Sequence, residues 1–412
     1  MRSEGARLAI LAVLTPLLQS PFADAYAATI TIVNRDGPGE GFNDPSPFTA
    51  AGDNVAATLG QARLNAFSYA AKLWGARLVS KVEIKVDAQM NPLDCGLTYA
   101  VIGNAGPNTV DRDFPRNDPA YAPPRPNTWY AQAVANAIAG FDRTATLAEI
   151  SAEFNSSLGA GTCAPTTSWY LGLDGRGASN QLDLVSVVFH ELGHGLGFSS
   201  FLDQSSGAKL SGRDDAFTNG LMLEGAVPAA LSAMTDAQRL SAMTGDPNLT
   251  WSGNATAVYL PRPTAGQTNG RVRLHAPNPV EFGSSVGHFS AALAPNELME
   301  PYYNGANHKM GLALPVLNDV GWLVIPATVP DHCLSALTAS SDLDNDGVVD
   351  VCDNCPQVSN PSQSDADANG QGDACPSSNV KSVPATDPWH LGLLGFGLLW
   401  LGMVSRGRRF SA

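Results

Sequence analysis

The chain has 412 residues, enough for more than one domain. Only 15% of them are charged, while Gly (40) and Pro (29) are plentiful, a composition that suits a loop-rich secreted protein better than a cytosolic helical one. The net charge of −14 argues against nucleic acid as a partner.

Arg2 and Arg7 precede an apolar run from Leu8 to Leu18, and small residues follow at Ala25-Tyr26-Ala27. This is the pattern of a secretory signal peptide over 1–27, cleaved after Ala27. The run is too short to span a bilayer, which disfavours an uncleaved anchor. Six cysteines, an even number in an exported chain, read as disulfides.

Thr29 to Val33 is a strand by composition. Asn54 to Trp74 carries Leu59, Ala62, Leu64, Phe67, Ala70, Ala71, Leu73 and Trp74 near helical spacing, so an amphipathic helix is expected. Val82 to Asp87 alternates apolar and charged residues, as a half-exposed strand does; it is also the expected edge on which an extended peptide could pair. Pro115 to Pro126 reads as a Pro-rich loop, Trp129 to Phe141 as a second helix and Trp169 to Leu173 as a strand. Cys95 and Cys163 are the cysteines before residue 190, and a disulfide between them is expected. The alternative is Cys95 as a thiolate that plugs a metal in a latent form.

The chemistry is concentrated in His190-Glu191-Leu192-Gly193-His194-Gly195-Leu196-Gly197-Phe198, whose core reads H-E-x-x-H. On a helix, positions i and i+4 are about 40° apart, so both imidazoles leave one face and can share a Zn²⁺ ion. Glu191 lies about 100° further round, beside the metal and not on it, where a base can take a proton from an activated water. Leu182 to Phe189 is apolar enough for a buried approach to this helix. Gly193 and Gly195 each disfavour a helix by roughly 1 kcal/mol against Ala, which suggests close backbone approach there; Gly197 suits the helix exit.

A catalytic zinc usually has three protein ligands and an open position. In the pattern H-E-x-x-H-x-x-G-x-x-H the Gly turns the chain toward a third His, but here Ser200 stands at that place. A third ligand must come from elsewhere. His288 lies in Val286-Gly287-His288-Phe289-Ser290, ahead of Asn296-Glu297-Leu298-Met299-Glu300-Pro301 and of Asp319-Val320-Gly321-Trp322. In these motifs, together with Gly197-Phe198-Ser199, the chain resembles the leishmanolysin family of metzincin peptidases from His190 to about Trp322, with the middle unmatched. The resemblance implies His190, His194 and His288 as zinc ligands, Glu191 as general base and Met299 as the Met-turn floor under the metal. His275 is the runner-up ligand, and Glu224 or Glu281 would serve in a gluzincin. Tyr302 and Tyr303 either lend a hydroxyl to the oxyanion or pack the wall.

The implied fold is α+β: a metzincin-like zincin domain over 28–330, a mixed sheet plus the active-site helix, with 200–287 inserted before the third ligand. The insertion should flank the cleft; it holds a helix-like piece, Pro228 to Met243, and a strand-like piece, Ala255 to Leu260. The function expected is a secreted or surface-attached zinc endopeptidase acting on proteins or peptides.

Nine acidic residues fall between Asp331 and Asp373, where no Lys or Arg occurs. Asp342, Asp344, Asp346, Asp350 and Asp353 place oxygens around a glycine turn, as hard Ca²⁺ requires. Cys352-Asp353-Asn354-Cys355-Pro356 follows where an EF-hand would start a helix. The stretch 331–375 resembles a thrombospondin type 3 repeat, with Asp365, Asp367, Asn369 and Asp373 as a second calcium set. Cys333, Cys352, Cys355 and Cys375 then form two bridges of undetermined connectivity. Residues 376–388 are a polar linker. Pro388 leads into residues 389–412, which combine Trp389, an apolar run to Val404 and Arg406, Arg408 and Arg409, resembling the C-terminal sorting tails of bacterial exported proteins. Such a tail implies transient membrane attachment, or a retained anchor. The competing function is a calcium-dependent surface adhesion protein with a degenerate peptidase domain.

Overall fold

Four strands with very different compositions make the central sheet of the computed structural model, which describes residues 27–258 and 263–325 together with 344, 355, 358–360, 374 and 375. They are β1 (Ile30–Asn34), β2 (Ile84–Asn91), β3 (Gly103–Pro107) and β4 (Ile150–Asn155), in the spatial order β1-β2-β4-β3. β1, β2 and β4 run parallel, with Val86 opposite Ile150 and Ile30 opposite Ile84. β3 pairs antiparallel with β4, Ala105 opposite Ala152, and forms the edge. β3 is built of Gly, Asn, Ala and Pro and has no intrinsic strand preference; its partner strand makes it.

Helix α1 (Leu59–Gly75) connects β1 to β2, α2 (Gln132–Ala139) ends at Gly140 with φ 72°, and α3 (Leu184–Gly195) carries the H-E-x-x-H pattern. α1 packs on α3, and its Ala62, Ala66, Ala70 and Ala71 are all buried. Trp74 lies against Phe189, ring centroids 4.9 Å apart, and its Nε1–H donates to the Phe189 carbonyl at 2.8 Å. Phe42, Phe67 and Phe154 meet edge to face at 4.6 Å per pair, tying the loop after β1 to α1 and β4.

Beyond α3 the insertion forms a three-stranded antiparallel sheet from Leu221–Leu223, Ala229–Ala230 and Leu249–Trp251, with α4 (Asp236–Ala242) and α5 (Asn254–Val258). α6 (Ala313–Val320) closes the domain. Asp319 on α6 accepts from Trp251 Nε1 at 3.0 Å and from the Ala255 and Thr256 N–H groups at 2.8 and 3.3 Å. Trp322 Nε1 donates to the Leu196 carbonyl at 2.8 Å. The Asp-x-Gly-Trp motif therefore fastens α6 to the insertion on one side and to the end of α3 on the other. Among the described residues the fold is mixed α and β, with small sheets and six α-helices.

Several sequence expectations are corrected. The first helix starts at Leu59 and not Asn54, because Thr58 caps it and the Asn54 amide is committed to the Ala62 and Leu171 carbonyls at 2.9 and 2.6 Å. Val82 to Asp87 is not an edge. Its alternation is present in β2, but alternation reports the two faces of a strand and not its two edges, and both β2 edges are paired. Trp129 to Phe141 divides into a strand, Thr128–Ala131, and α2. Pro228 to Met243 holds a short strand, Ala229–Ala230, and a 3-10 turn, Leu231–Ala233, and becomes α-helical only at Asp236, where Thr235 and Gln238 form a capping box. Ala255 to Leu260 is not a strand as far as Val258: the Asp319 carboxylate satisfies the first N–H groups of a helical turn, overriding the β-branched composition. Residues 259–262 lie outside the described residues.

Cys95 and Cys163 are bonded, so Cys95 is no thiolate plug. Cys355 is bonded to Cys375. Cys333, Cys352, residues 1–26 of the expected signal peptide, the expected linker 376–388 and the expected tail 389–412 lie outside the described residues.

Asp319→Ala strands four donors of the insertion, the Trp251 Nε1–H, the Ala255 and Thr256 N–H groups and the Thr256 hydroxyl, and an unmet buried bond costs about 1–3 kcal/mol. Hydrogen exchange over residues 249–258 should quicken while α3 stays protected. Unchanged exchange in that stretch would remove Asp319 from its fastening role.

Candidate metal centre

Asp183 caps α3, accepting from the Ser186 N–H and hydroxyl at 2.7 and 2.6 Å. His308 Nε2 reaches the same carboxylate oxygen at 2.7 Å. Every residue of α3 is buried. His190 and His194 leave it one turn apart, and His288 meets them from 94 residues further along the chain. The three Nε2 atoms lie 3.1, 3.1 and 3.2 Å apart. Among the described residues these three form the cluster whose ligand atoms approach closely enough to hold a metal ion.

Each Nδ1 faces a main-chain carbonyl: Leu298 at 2.7 Å for His190, Phe198 at 2.8 Å for His194 and Ser284 at 2.8 Å for His288. A carbonyl only accepts, so each Nδ1 carries the proton and each Nε2 turns its lone pair inward. Three acceptors converge with no donor among them, an arrangement that a cation relieves. A triangle of these sides sets each nitrogen about 1.8 Å from its centre, close to the metal–nitrogen bond lengths of about 2.0–2.1 Å that imidazoles make, so the three residues could hold a metal ion. Burial, then the neighbouring His194, holds His190 down at about 3, and burial holds His194 at about 4. Burial and the other two imidazoles keep His288 well below its ordinary value. All three stay neutral, the form that binds metal.

Glu191 is 1% exposed. Burial pushes its carboxyl up to about 8, against the opposing pull of an Ala105 N–H bond. Its Oε1 is buried with no hydrogen-bond partner among the described residues. The Ala105 N–H can reach Glu191 because β3 bonds to β4 through its even-numbered residues, as Ile102 and Asn108 do, and turns Gly103 and Ala105 to the free edge. A Cβ on Gly103 would stand 3.2 Å from Glu191 Cγ and 2.9 Å from the Phe154 ring.

Met299 is fully buried beneath α3, and a Cβ on Gly193 would lie 2.7 Å from its sulfur; one on Gly195 would lie 2.4 Å from Ile150. The two helix-weakening glycines thus admit Met299 and β4 against the helix backbone. Gly197 takes φ 111° at the exit. Ser200 bonds Thr218 at 2.8 Å and is not in the triad. The other ligand candidates are also elsewhere: Glu224 binds Thr250, Asn269 and Arg271, and His275 and Glu281 pair with each other. Neither tyrosine directs its hydroxyl to an oxyanion here: Tyr302 donates to Glu281 at 2.6 Å, and Tyr303 accepts the Asp183 N–H at 3.0 Å.

A cleft of about 270 Å³ opens beside His194 and Glu191. β3 borders one side; Leu202, Gln204, Met243 and residues 282–287 of the insertion border the other, with Phe282 74% exposed at the rim. Sequence reasoning missed β3, whose composition hides it, and the Asp183–His308 pair. Asp183 followed three residues later by Ser186 is a legible helix start; its histidine partner, 125 residues on, is not.

A family model, thrombospondin type 3 repeat, matches residues 328–363. That repeat binds calcium and is typical of extracellular proteins, compatible with secretion. The match includes Asp342 to Asp353 and ends before Asp365, Asp367, Asn369 and Asp373. Of the expected calcium ligands, Asp344 is within the described residues and the others lie outside them. No curated protein matches the chain, and no solved structure does. Among the described residues no helix is long and apolar enough to cross a membrane.

Helix preference alone would favour Gly193→Ala by about 1 kcal/mol. Overlap with Met299 should reverse the sign and destabilise the protein by about 1–3 kcal/mol in denaturant unfolding. Gly225→Ala, with open space around its Cβ, serves as control. A stabilised Gly193→Ala would contradict the close contact.

Glu297 gives a pH signature. Burial, then Glu300, pushes its carboxyl up to about 7 from 4.5. Because the folded value is raised, its contribution to stability is complete below about pH 4.5 and is lost as pH rises through about 7. Glu297→Gln should therefore gain melting temperature over wild type at pH 8 and show no such gain at pH 4.5. A difference independent of pH would contradict the burial of an ionisable group there.

Proposed function

We propose that the chain is an exported zinc-dependent endopeptidase whose catalytic domain is of the metzincin type, similar to leishmanolysin. The observation that carries this reading is the meeting of three neutral imidazoles, Nε2 atoms 3.1–3.2 Å apart, beside a buried carboxylate that binds none of them. A zinc ion held by His190, His194 and His288 would supply Lewis-acid activation of a water and of the scissile carbonyl.

The protein's own residues do the rest. Glu191 takes the proton of the attacking water and returns it to the leaving amine. The Ala105 N–H orients the carboxylate. The free edge of β3, through Gly103 and the Ala105 carbonyl, pairs with an extended peptide main chain, taking the place expected of Val82 to Asp87. The wall from the insertion meets the side chains beyond the scissile bond. Asp342, Asp344, Asp346, Asp350 and Asp353 hold calcium in the thrombospondin type 3 segment, with Asp365, Asp367, Asn369 and Asp373 as a second set. The apolar tail serves surface attachment.

The adhesion reading has the thrombospondin type 3 match in its favour. It gives no role to Glu191, a buried carboxyl next to the triad with an unused oxygen.

The mature protein should bind one zinc per chain and cleave casein until a chelator is added. Glu191→Gln should keep the zinc and lose activity about 10²–10⁴-fold. His288→Ala should lose metal as well as activity. Full activity in Glu191→Gln, or undiminished zinc in His288→Ala, would sink the proposal.

A further inference from the structure

The carboxylate of Glu281, outside the triad, joins three stretches of chain. Its Oε2 lies 3.1 Å from His275 Nε2 and accepts the Tyr302 hydroxyl at 2.6 Å. Its own carbonyl accepts the Ser284 and Ser285 N–H groups at 3.0 and 2.8 Å, and its N–H donates to Ser285 Oγ at 2.9 Å. Ser284 is the residue whose carbonyl orients His288. His275 is bound to the same loop through its main chain, donating to the His288 carbonyl and accepting from the Val286 N–H, both at 2.8 Å. Tyr302 stands three residues after Met299, whose carbonyl accepts the Phe289 N–H at 2.8 Å.

Between these ties Val286 is 1% exposed and holds φ 73°. A β-branched residue rarely adopts that conformation, and it persists only where the surroundings enforce it. His190 and His194 are placed by a helix. His288 is placed by a strained loop, so its position depends on whatever restrains that loop.

We infer that Glu281 is a positioning residue for the third metal ligand: it clamps the 281–288 loop to His275 and to the Tyr302 end of the Met-turn, and so presets His288. The inference rests on reading the triad as a metal site. Removing the carboxylate deprives Tyr302 and His275 of their shared partner, releases the strain at Val286 and lets His288 drift from its two companions.

The test uses the full mature chain, stripped of metal, and titrates Zn²⁺ against a chromophoric chelator. The visible absorption of the Co²⁺ form reports coordination geometry, and melting of the metal-free forms reports folding. Loss of such an outer partner typically weakens metal binding 10–100-fold, so Glu281→Ala should bind Zn²⁺ about tenfold more weakly and shift the Co²⁺ spectrum, while Glu281→Gln, which keeps an acceptor for Tyr302, should return to within about threefold of wild type. Unchanged affinity in Glu281→Ala overturns the inference. So does a Glu281→Gln variant as weak as Glu281→Ala, because a through-space charge effect would then suffice. If Glu281→Ala does not fold, Tyr302→Phe and His275→Asn decide, each removing one tie: weaker binding in both supports the clamp, and wild-type binding in both overturns it. A wild-type chain that binds no Zn²⁺ overturns the metal reading itself, a result distinct from a variant that merely equals a zinc-binding wild type.

Discussion

Three imidazole nitrogens facing one another at 3.1–3.2 Å are the constraint on which the structure turns. The contact is unfavourable in itself, since each nitrogen offers a lone pair and none offers a proton. It is sustained by three main-chain carbonyls from three segments: Phe198 just past the helix, Ser284 in the insertion and Leu298 beside Met299. Each carbonyl sets one ring's tautomer and tilt. The site is thus an agreement between distant backbones, and the elements around α3 exist in the arrangement that lets them agree.

Close approach is the means. α3 has no exposed residue, and it is approached by α1, by β4 and by the Met-turn. Alanines on α1 and glycines at 193 and 195 remove the side chains that would keep these neighbours away. Three indoles then fix the packing with directed bonds. Trp74 holds the helix at Phe189, Trp322 holds its end at Leu196, and Trp251 ties the insertion to Asp319. A buried Trp needs a partner for its N–H, so each acts as a locating pin as well as apolar bulk. The same burial raises Glu191 and keeps the histidines neutral, and the site's electrostatics follow from its packing.

The insertion supplies one wall of the cleft and leads directly into the loop that bears His288. An element that shapes the cleft therefore also places the third imidazole of the cluster, which couples the two in folding. The thrombospondin type 3 segment beyond it, with its Cys355–Cys375 bond, adds a calcium-binding module at the far end of the chain.

The residue types and local spacings were legible without coordinates. Histidines one turn apart, a glutamate between them, glycines at 193, 195 and 197 and an acidic tail with alternating oxygens follow from helix period and ligand chemistry, whereas the downstream Glu-Leu-Met was legible only through the family resemblance. The Cys95–Cys163 pairing was legible too, because no other cysteine precedes residue 190. Other features had no local signal. β3 is Gly, Asn, Ala and Pro, and becomes a strand only because β4 offers it hydrogen bonds. α5 has β-branched residues and is helical because Asp319, more than sixty positions away, caps it. β2 shows its two faces in its sequence, but its central place is set by its neighbours. Local sequence determines which side chain a residue offers and which face it lies on. Which edge is free, and which distant carbonyl fixes each imidazole, depends on contacts between segments far apart in the chain, and only the tertiary structure decides them.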